Sequence, residues 1–491
     1  MLQLSDLSQD RVPVFEALRH YVDKKTVPFH VPGHKQGRGI PQGFADYVGQ
    51  ELFRIDITEF DETDDLHAPH GAIRDAQKLL AELYGAEQSF FMTNGTSGAI
   101  YAMILAVCGP GDRILVPRNA HRSVVGGLIM SGATPCYMEP PVDPRVGMAL
   151  ALTPEIVEQA IIDHPEAKAV LVMHPTYYGV TGGIEEIVAV VHRHGLPLLV
   201  DEAHGPHLRF SDRLPTSAVT AGADIVAQSA HKILGVMTQA SWIHARSERI
   251  SLGRLRAMLR LVQSTSPSYI LMSSLDWGRH QMAHQGRALV ERSIDFAQQA
   301  RERINRIPGL YCFGADILGR PGAVGYDPTK LTITVTQAGL HGQEAETLLN
   351  ERYGVQMEMS DWWNVLAMIT LGDGQSEVDS LVHALERLTA DWSDRALHES
   401  VPLKLPAIPR QVLTPREAFF ASARSTPIEQ TVGLVSSEII APYPPGIPIL
   451  APGEEITAEI VNFIRSAKEK GYHFQGPEDD SLTRLKVVYH D

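Results

Sequence analysis

The sequence predicts an α/β fold, with a large domain on a mainly parallel sheet and smaller α+β domains after it. Three observations lead there. Apolar, strand-like runs alternate with amphipathic helical stretches from about residue 89 to residue 243. Two of the runs, Ala167–Met173 and Leu196–Val200, are almost continuously apolar, as strands covered on both faces are. Asp201 and Lys232 both follow the carboxyl ends of such runs, where open α/β sheets place their ligands.

Each element has its own signal. Residues 1–55 read as an N-terminal extension, with one helix near Val14–Val22 and then the segment VPFHVPGHKQGRG. Ser89–Met92 reads as a strand, Gly98–Val107 as an apolar helix, and Arg113–Val116 and Pro135–Met138 as strands. Thr153-Pro154 marks a helix start: the threonine hydroxyl can accept an orphan N–H, and proline gives up no bond in the first turn. Ile156, Val157, Ala160 and Ile161 then share a face. Ile184, Ile187, Val188 and Val191 recur at helical spacing, and Gly195 ends that helix. Ala223–Ala227 and Gln239–Ile243 add strands, and a helical stretch over about Ser274–Ile307 closes a large domain of residues 56–307. Residues 308–400 mix a strand (Lys330–Val335) with helices (Glu344–Tyr353, Glu377–Leu388) as a small α+β domain. A proline-spaced linker, Val401–Gln411, precedes a C-terminal domain over 412–491.

Composition removes whole classes of function. A formal charge of −15 argues against nucleic acid or an anionic membrane as main partner, since either requires a basic face. Cys108, Cys136 and Cys312 lack metal or disulfide spacing and read as buried thiols in a reducing compartment. The N-terminus is acidic early and carries no long apolar block, and no run nears the ~20 residues a bilayer span needs. A cytoplasmic location is expected.

Between the first strand and its helix lies Thr93-Asn94-Gly95-Thr96-Ser97. Gly95, Thr96 and Ser97 at a helix start offer free N–H groups, hydroxyls and the positive dipole end to an anion; the plain alternative is a capped helix. The segment from Val200 to Leu234 places VDEAHG after one strand and SAHKIL after the next. A lysine amine can attach a carbonyl covalently, and an acid can keep a ring nitrogen protonated. This pattern resembles the core of fold-type I, aspartate aminotransferase-like enzymes that depend on pyridoxal 5'-phosphate (PLP). The resemblance implies that Lys232 holds the cofactor as a Schiff base, Asp201 pairs with the pyridine nitrogen, and Ser229 and His231 lie near the phosphate. It also puts His204 close to the ring and stacks His121, in PRNAHRS, on its face; the plain alternative for His121 is a structural loop residue. A metal site of His204, His207 and His231 is disfavoured, because their spacing lacks the regularity of known motifs.

Further motifs narrow the family. PFHVPGHKQG, DDLHAPHGAI, TNGTSGA, HPTYYG, TQASW, TSPSYILMSSLD, PREAFFA and PYPPGIPILAPGE, with those above, resemble the bacterial ornithine/lysine/arginine decarboxylases across nearly the whole chain. His70 departs from the acid expected in DDLHAPHG, and no counterpart of the N-terminal wing of the large members is found, so their decameric assembly is not carried over. The resemblance implies decarboxylation of a basic amino acid, with arginine favoured over lysine or ornithine; an aminotransferase or C–S lyase is the alternative. Lys232, or His231, is expected to reprotonate Cα. Thr176 and Tyr178 are expected to line the pocket, although HPTYYG can also be a turn closed by Gly179. An acid at the far end must meet the cationic side chain: Glu454 and the run Asp61, Glu62, Asp64, Asp65 are candidates, the run equally a solvated loop. The resemblance further implies a homodimer or dimer of dimers, in which Ser266 and Ser274 reach the partner's cofactor phosphate; the plain alternative is a helix N-cap.

Overall fold

The computed structural model describes residues 7–391, 406–443 and 446–489. Part of the proline-spaced linker (401–405) and Pro444-Pro445 of the C-terminal motif therefore lie outside the described residues.

The main sheet has seven strands: β1 (Gln88–Met92), β2 (Arg113–Pro117), β3 (Thr134–Met138), β4 (Ala167–Met173), β5 (Leu198–Asp201), β6 (Ile225–Gln228) and β7 (Ser241–Ala245), in the order β1-β7-β6-β5-β4-β2-β3. β2 runs parallel to both β3 and β4, whereas β7 runs antiparallel to β1 and to β6. The helix expected from Gly98 begins at Gly95, and the helix expected near Ser274–Ile307 runs Tyr269–Ile304. The second starts early because Ser268 supplies the cap: its Oγ accepts the Leu271 N–H at 3.3 Å and its carbonyl accepts that of Met272. Thr153 caps Pro154–Asp163 as its sequence implies, accepting the Ile156 N–H at 3.3 Å.

By internal packing the chain forms two compact units. The first comprises the described part of Met1–Ala106 with Val200–Asp212 and Thr216–Val290. In it the helix Ala72–Tyr84 buries Ile73, Ala76, Leu79, Leu80 and Tyr84, and ends on left-handed Gly85. Its start is capped from a distance. Buried Asp64 accepts the N–H groups of Gly71, Ile73 and Arg74 on Oδ2, and those of Asp65 and His70 on Oδ1.

The second unit comprises Val107–Leu199, Arg213–Pro215 and the described part of Glu291–Asp491. Here a four-stranded antiparallel sheet contains Lys330–Thr334 paired with Asn364–Met368. The helices Gly342–Tyr353 and Gln375–Asp391 bury Leu349, Leu381 and Leu385 into its core. A separate core of Ile440, Leu450, Ile456, Ile460, Ile464 and Val487 forms nearer the C-terminus.

Candidate active site

Two strand ends build the site within the first unit. β5 is buried throughout and terminates in Asp201, whose Oδ1 accepts the Ala203 N–H at 3.1 Å. Burial raises the Asp201 pKa, and the charge of Lys232 opposes that rise. β6 terminates in Gln228; Ser229 then enters the short helix Ala230–Ile233, which carries His231 and Lys232. Lys232 Nζ lies 2.8 Å from His204 Nε2. His231 turns its Nδ1 to the Ala240 carbonyl at 3.0 Å.

Three hydroxyls converge beside these groups. Thr96 Oγ1 bonds to Ser229 Oγ and, at 2.8 Å, to Ser241 Oγ, and all three residues are buried. Thr96 belongs to the first turn of Gly95–Val107, and Gly95 takes a left-handed φ of +68° that admits the tight turn. Thr93, in the short connection before that helix, is tethered by Gln263, whose Oε1 accepts the Thr93 N–H at 2.9 Å. Ser241, one of the three hydroxyls, stands in the TQASW motif but carried no expectation of its own. A hydroxyl opening a buried strand was its signal.

The donor set fits PLP. Hydroxyls at a helix N-terminus suit a phosphate, a buried acid suits a protonated ring nitrogen, and a lysine amine suits an aldehyde. Among the described residues no group of three or more His, Cys, Asp or Glu is placed to hold a metal ion.

The remaining candidates take definite places. Ser266 is exposed on the loop before Tyr269–Ile304, and its N–H donates to Ser264 Oγ. Ser274 sits inside that helix instead of capping it, and its Oγ accepts the Met237 N–H at 2.7 Å. Asp64 spends its carboxylate on the helix cap described above. His70 is exposed, with Nδ1 3.2 Å from Asp64 Oδ1. Of the neighbouring acids, Glu62 pairs with Lys24, and Asp65 accepts the His67 N–H at 2.8 Å.

The second unit holds the others. His121 is the N-cap of Arg122–Ser131, and its Nδ1 accepts the Ser123 N–H. Thr176 closes a turn with Val180, and Gly179, at φ +87°, completes it. Thr176 and Tyr178 line a cavity of about 190 Å³ with Arg118, Trp362, Trp363 and Tyr472. Tyr178 donates to Asp361 Oδ2 at 2.6 Å. Glu454 is fully buried: it pairs with Arg118, whose Nη2 reaches Oε2 at 3.0 Å, and accepts the Ala451 N–H at 2.8 Å. Arg118 and Asp361 were not singled out from the sequence, because partners 336 and 183 residues away in the chain leave no local pattern.

A mostly parallel α/β sheet whose strand ends deliver this lysine, acid and hydroxyl set defines a PLP-dependent enzyme of fold type I. Comparison with known proteins narrows the class. The family model "Orn/Lys/Arg decarboxylase, major domain" matches residues 12–377, and that family's C-terminal domain matches 400–481. An arginine decarboxylase of Bacillus subtilis (strain 168) is 42% identical over 483 residues, spanning 98% of this chain and 99% of that protein. One from Halalkalibacterium halodurans is 43% identical over 482 residues, 98% of each chain. The crystal structure of the Francisella novicida lysine decarboxylase LdcF superposes with a TM-score of 0.84 at 22% identity, covering 97% of this chain and 81% of that one. The chain belongs to the Orn/Lys/Arg decarboxylase family and is a PLP-dependent decarboxylase. Among the described residues no helix is long and apolar enough to cross a membrane.

Proposed function

We propose that the enzyme converts L-arginine to agmatine and carbon dioxide. The observation that carries the substrate is the full-length similarity to arginine decarboxylases, against 25% identity to the lysine decarboxylase of Hafnia alvei. When bound, PLP supplies an electron sink for the pair left behind as the carboxylate departs as carbon dioxide. The chain's own residues do the rest. Lys232 would hold the cofactor through its amine and would carry the proton to Cα, with His231 as the second candidate. His204 Nε2, 2.8 Å from Lys232 Nζ, takes a proton from the ammonium and lowers the cost of presenting a neutral amine. Asp201 would hold the ring nitrogen's proton in a buried setting, where that charge pair is strongest. Thr96, Ser229 and the helix start at Gly95 would hold the phosphate.

A C2 homodimer is part of the proposal, with Ser266 reaching the partner's cofactor. The substrate assignment is tested by kcat/KM for arginine, lysine and ornithine on one preparation. Arginine should lead by at least about tenfold, a difference of ~1.4 kcal/mol in transition-state binding. Equal or reversed preference discards arginine and keeps the decarboxylase.

A further inference from the structure

A second acid stands beside Asp201 and takes no part in the chemistry above. Glu202 is fully buried and heads a series of side-chain hydrogen bonds across β6, β7 and β1. Gln228 Nε2 donates to Glu202 Oε2 at 2.6 Å. Gln228 Oε1 can only accept, so its 3.1 Å bond to His244 Nε2 puts the ring proton there. His244 Nδ1 is left as acceptor, and Ser89 Oγ donates to it at 2.7 Å from the directly opposed position on β1. From the other side the Ala218 N–H reaches Glu202 Oε1 at 2.6 Å. Every donor points toward Glu202.

The series is enclosed. Ser89, Gln228 and His244 are all buried, and burial pushes the His244 pKa down to about 3, which keeps the ring neutral with the single proton this order requires. Burial likewise pushes Glu202 up to about 8, outweighing its two donors. Space is reserved for it: a Cβ on Gly205 would sit 2.5 Å from Glu202 Cγ, so the glycine of VDEAHG is what lets the acid fold inward. The Glu202 N–H also donates to the Ala227 carbonyl at 2.9 Å. Backbone and side chain together lock the residue after Asp201 to the last two residues of β6.

We propose that this directional series is a positioning device, in which Glu202 and Gln228 fix the two strand ends that present Asp201 and Lys232. The inference rests on the pairing of Asp201 with the cofactor's ring nitrogen. Neither Glu202 nor Gln228 is assigned a contact with cofactor or substrate, so both are positioning residues.

The test uses the holoenzyme in four forms: Glu202→Gln, Gln228→Glu, the double exchange, and Asp201→Asn. The first sets two amide donors face to face and the second two carboxyls. Each should lower kcat about tenfold, leave KM within about twofold, and shift the visible absorption of the bound cofactor. The double exchange has the same shapes with every donor again facing an acceptor: the new amide accepts from Ala218 and donates to the new carboxylate, which also accepts from His244. It should return kcat to within about threefold of the parent and restore the absorption. If a single exchange fails to fold, Ser89→Ala cuts the far end of the series, and a two- to threefold loss of kcat with the same spectral shift is expected. Single exchanges with parental kcat and absorption, while Asp201→Asn loses both, overturn the positioning role. A double exchange no better than the singles also overturns it. Parental behaviour in Asp201→Asn instead removes the pairing on which the inference rests.

Discussion

Lys232 Nζ and His204 Nε2 stand 2.8 Å apart. An ammonium only donates, so while Lys232 is charged His204 accepts on Nε2 and carries its own proton on Nδ1. An imidazole in that state is a proton acceptor within reach of the amine that must become neutral to attack an aldehyde.

That relationship predicts the behaviour of Lys232→Ala. The parent enzyme should absorb in the visible region, and borohydride should abolish that band and leave the cofactor fixed to a single peptide. The variant should show neither effect, although it can still hold PLP non-covalently. Peptide mapping of the reduced enzyme decides the matter: fixation on any other lysine overturns the site.

Asp201→Asn keeps the shape of the acid and removes its charge. Fold and cofactor binding should persist while kcat falls by at least tenfold, since a charge-assisted hydrogen bond of ~1.5–3 kcal/mol is lost where charge develops in the transition state. Stopped-flow turnover with parallel cofactor titration separates the two quantities. A parental rate would rule out the electron-sink role of Asp201.

Particular residues explain which features were legible in the sequence. Thr153-Pro154, the spacing of Ile184 to Val191, and strands ending at Asp201 and just before Ser229 rest on local chemistry, and the structure reproduces them. The direction of β7 was not legible: Ser241–Ala245 is buried along its whole length, and such a run reads alike in either sense. The helix Leu252–Val262 passed unnoticed because only Leu255 and Leu259 are buried among its arginines. Asp64 reads as a candidate acid for the substrate's cationic end or as part of a solvated loop, yet its carboxylate caps a helix that starts eight residues later. His244 and Gln228 were the overlooked signal, since polar residues inside apolar strands must be satisfied in pairs.

Acid should reveal the neutral His244. Its folded pKa, about 3, lies below the unfolded value near 6.5, so the unfolded chain binds the proton first. The stability that goes with a neutral ring is complete above about pH 6.5 and is lost as the pH falls toward 3. Urea midpoints at several pH values should therefore fall more steeply for the parent than for His244→Asn. Parallel curves would show that the ring protonates freely in the folded protein.

Assembly is tested by complementation. Lys232→Ala and a bulky replacement of Ser266 should each be inactive alone. After subunit exchange, half the dimers are mixed and each holds one site with both parts intact, so activity should recover to about a quarter of the parent. No recovery after verified exchange, or a fully active monomer in sedimentation, refutes a shared site.

Decarboxylation itself is the central claim, and carbon dioxide is its direct product. Arginine labelled in the carboxyl carbon should release one equivalent of labelled carbon dioxide for each agmatine formed, with no keto acid. Retention of the label, with keto acid appearing in place of the amine, would contradict the account.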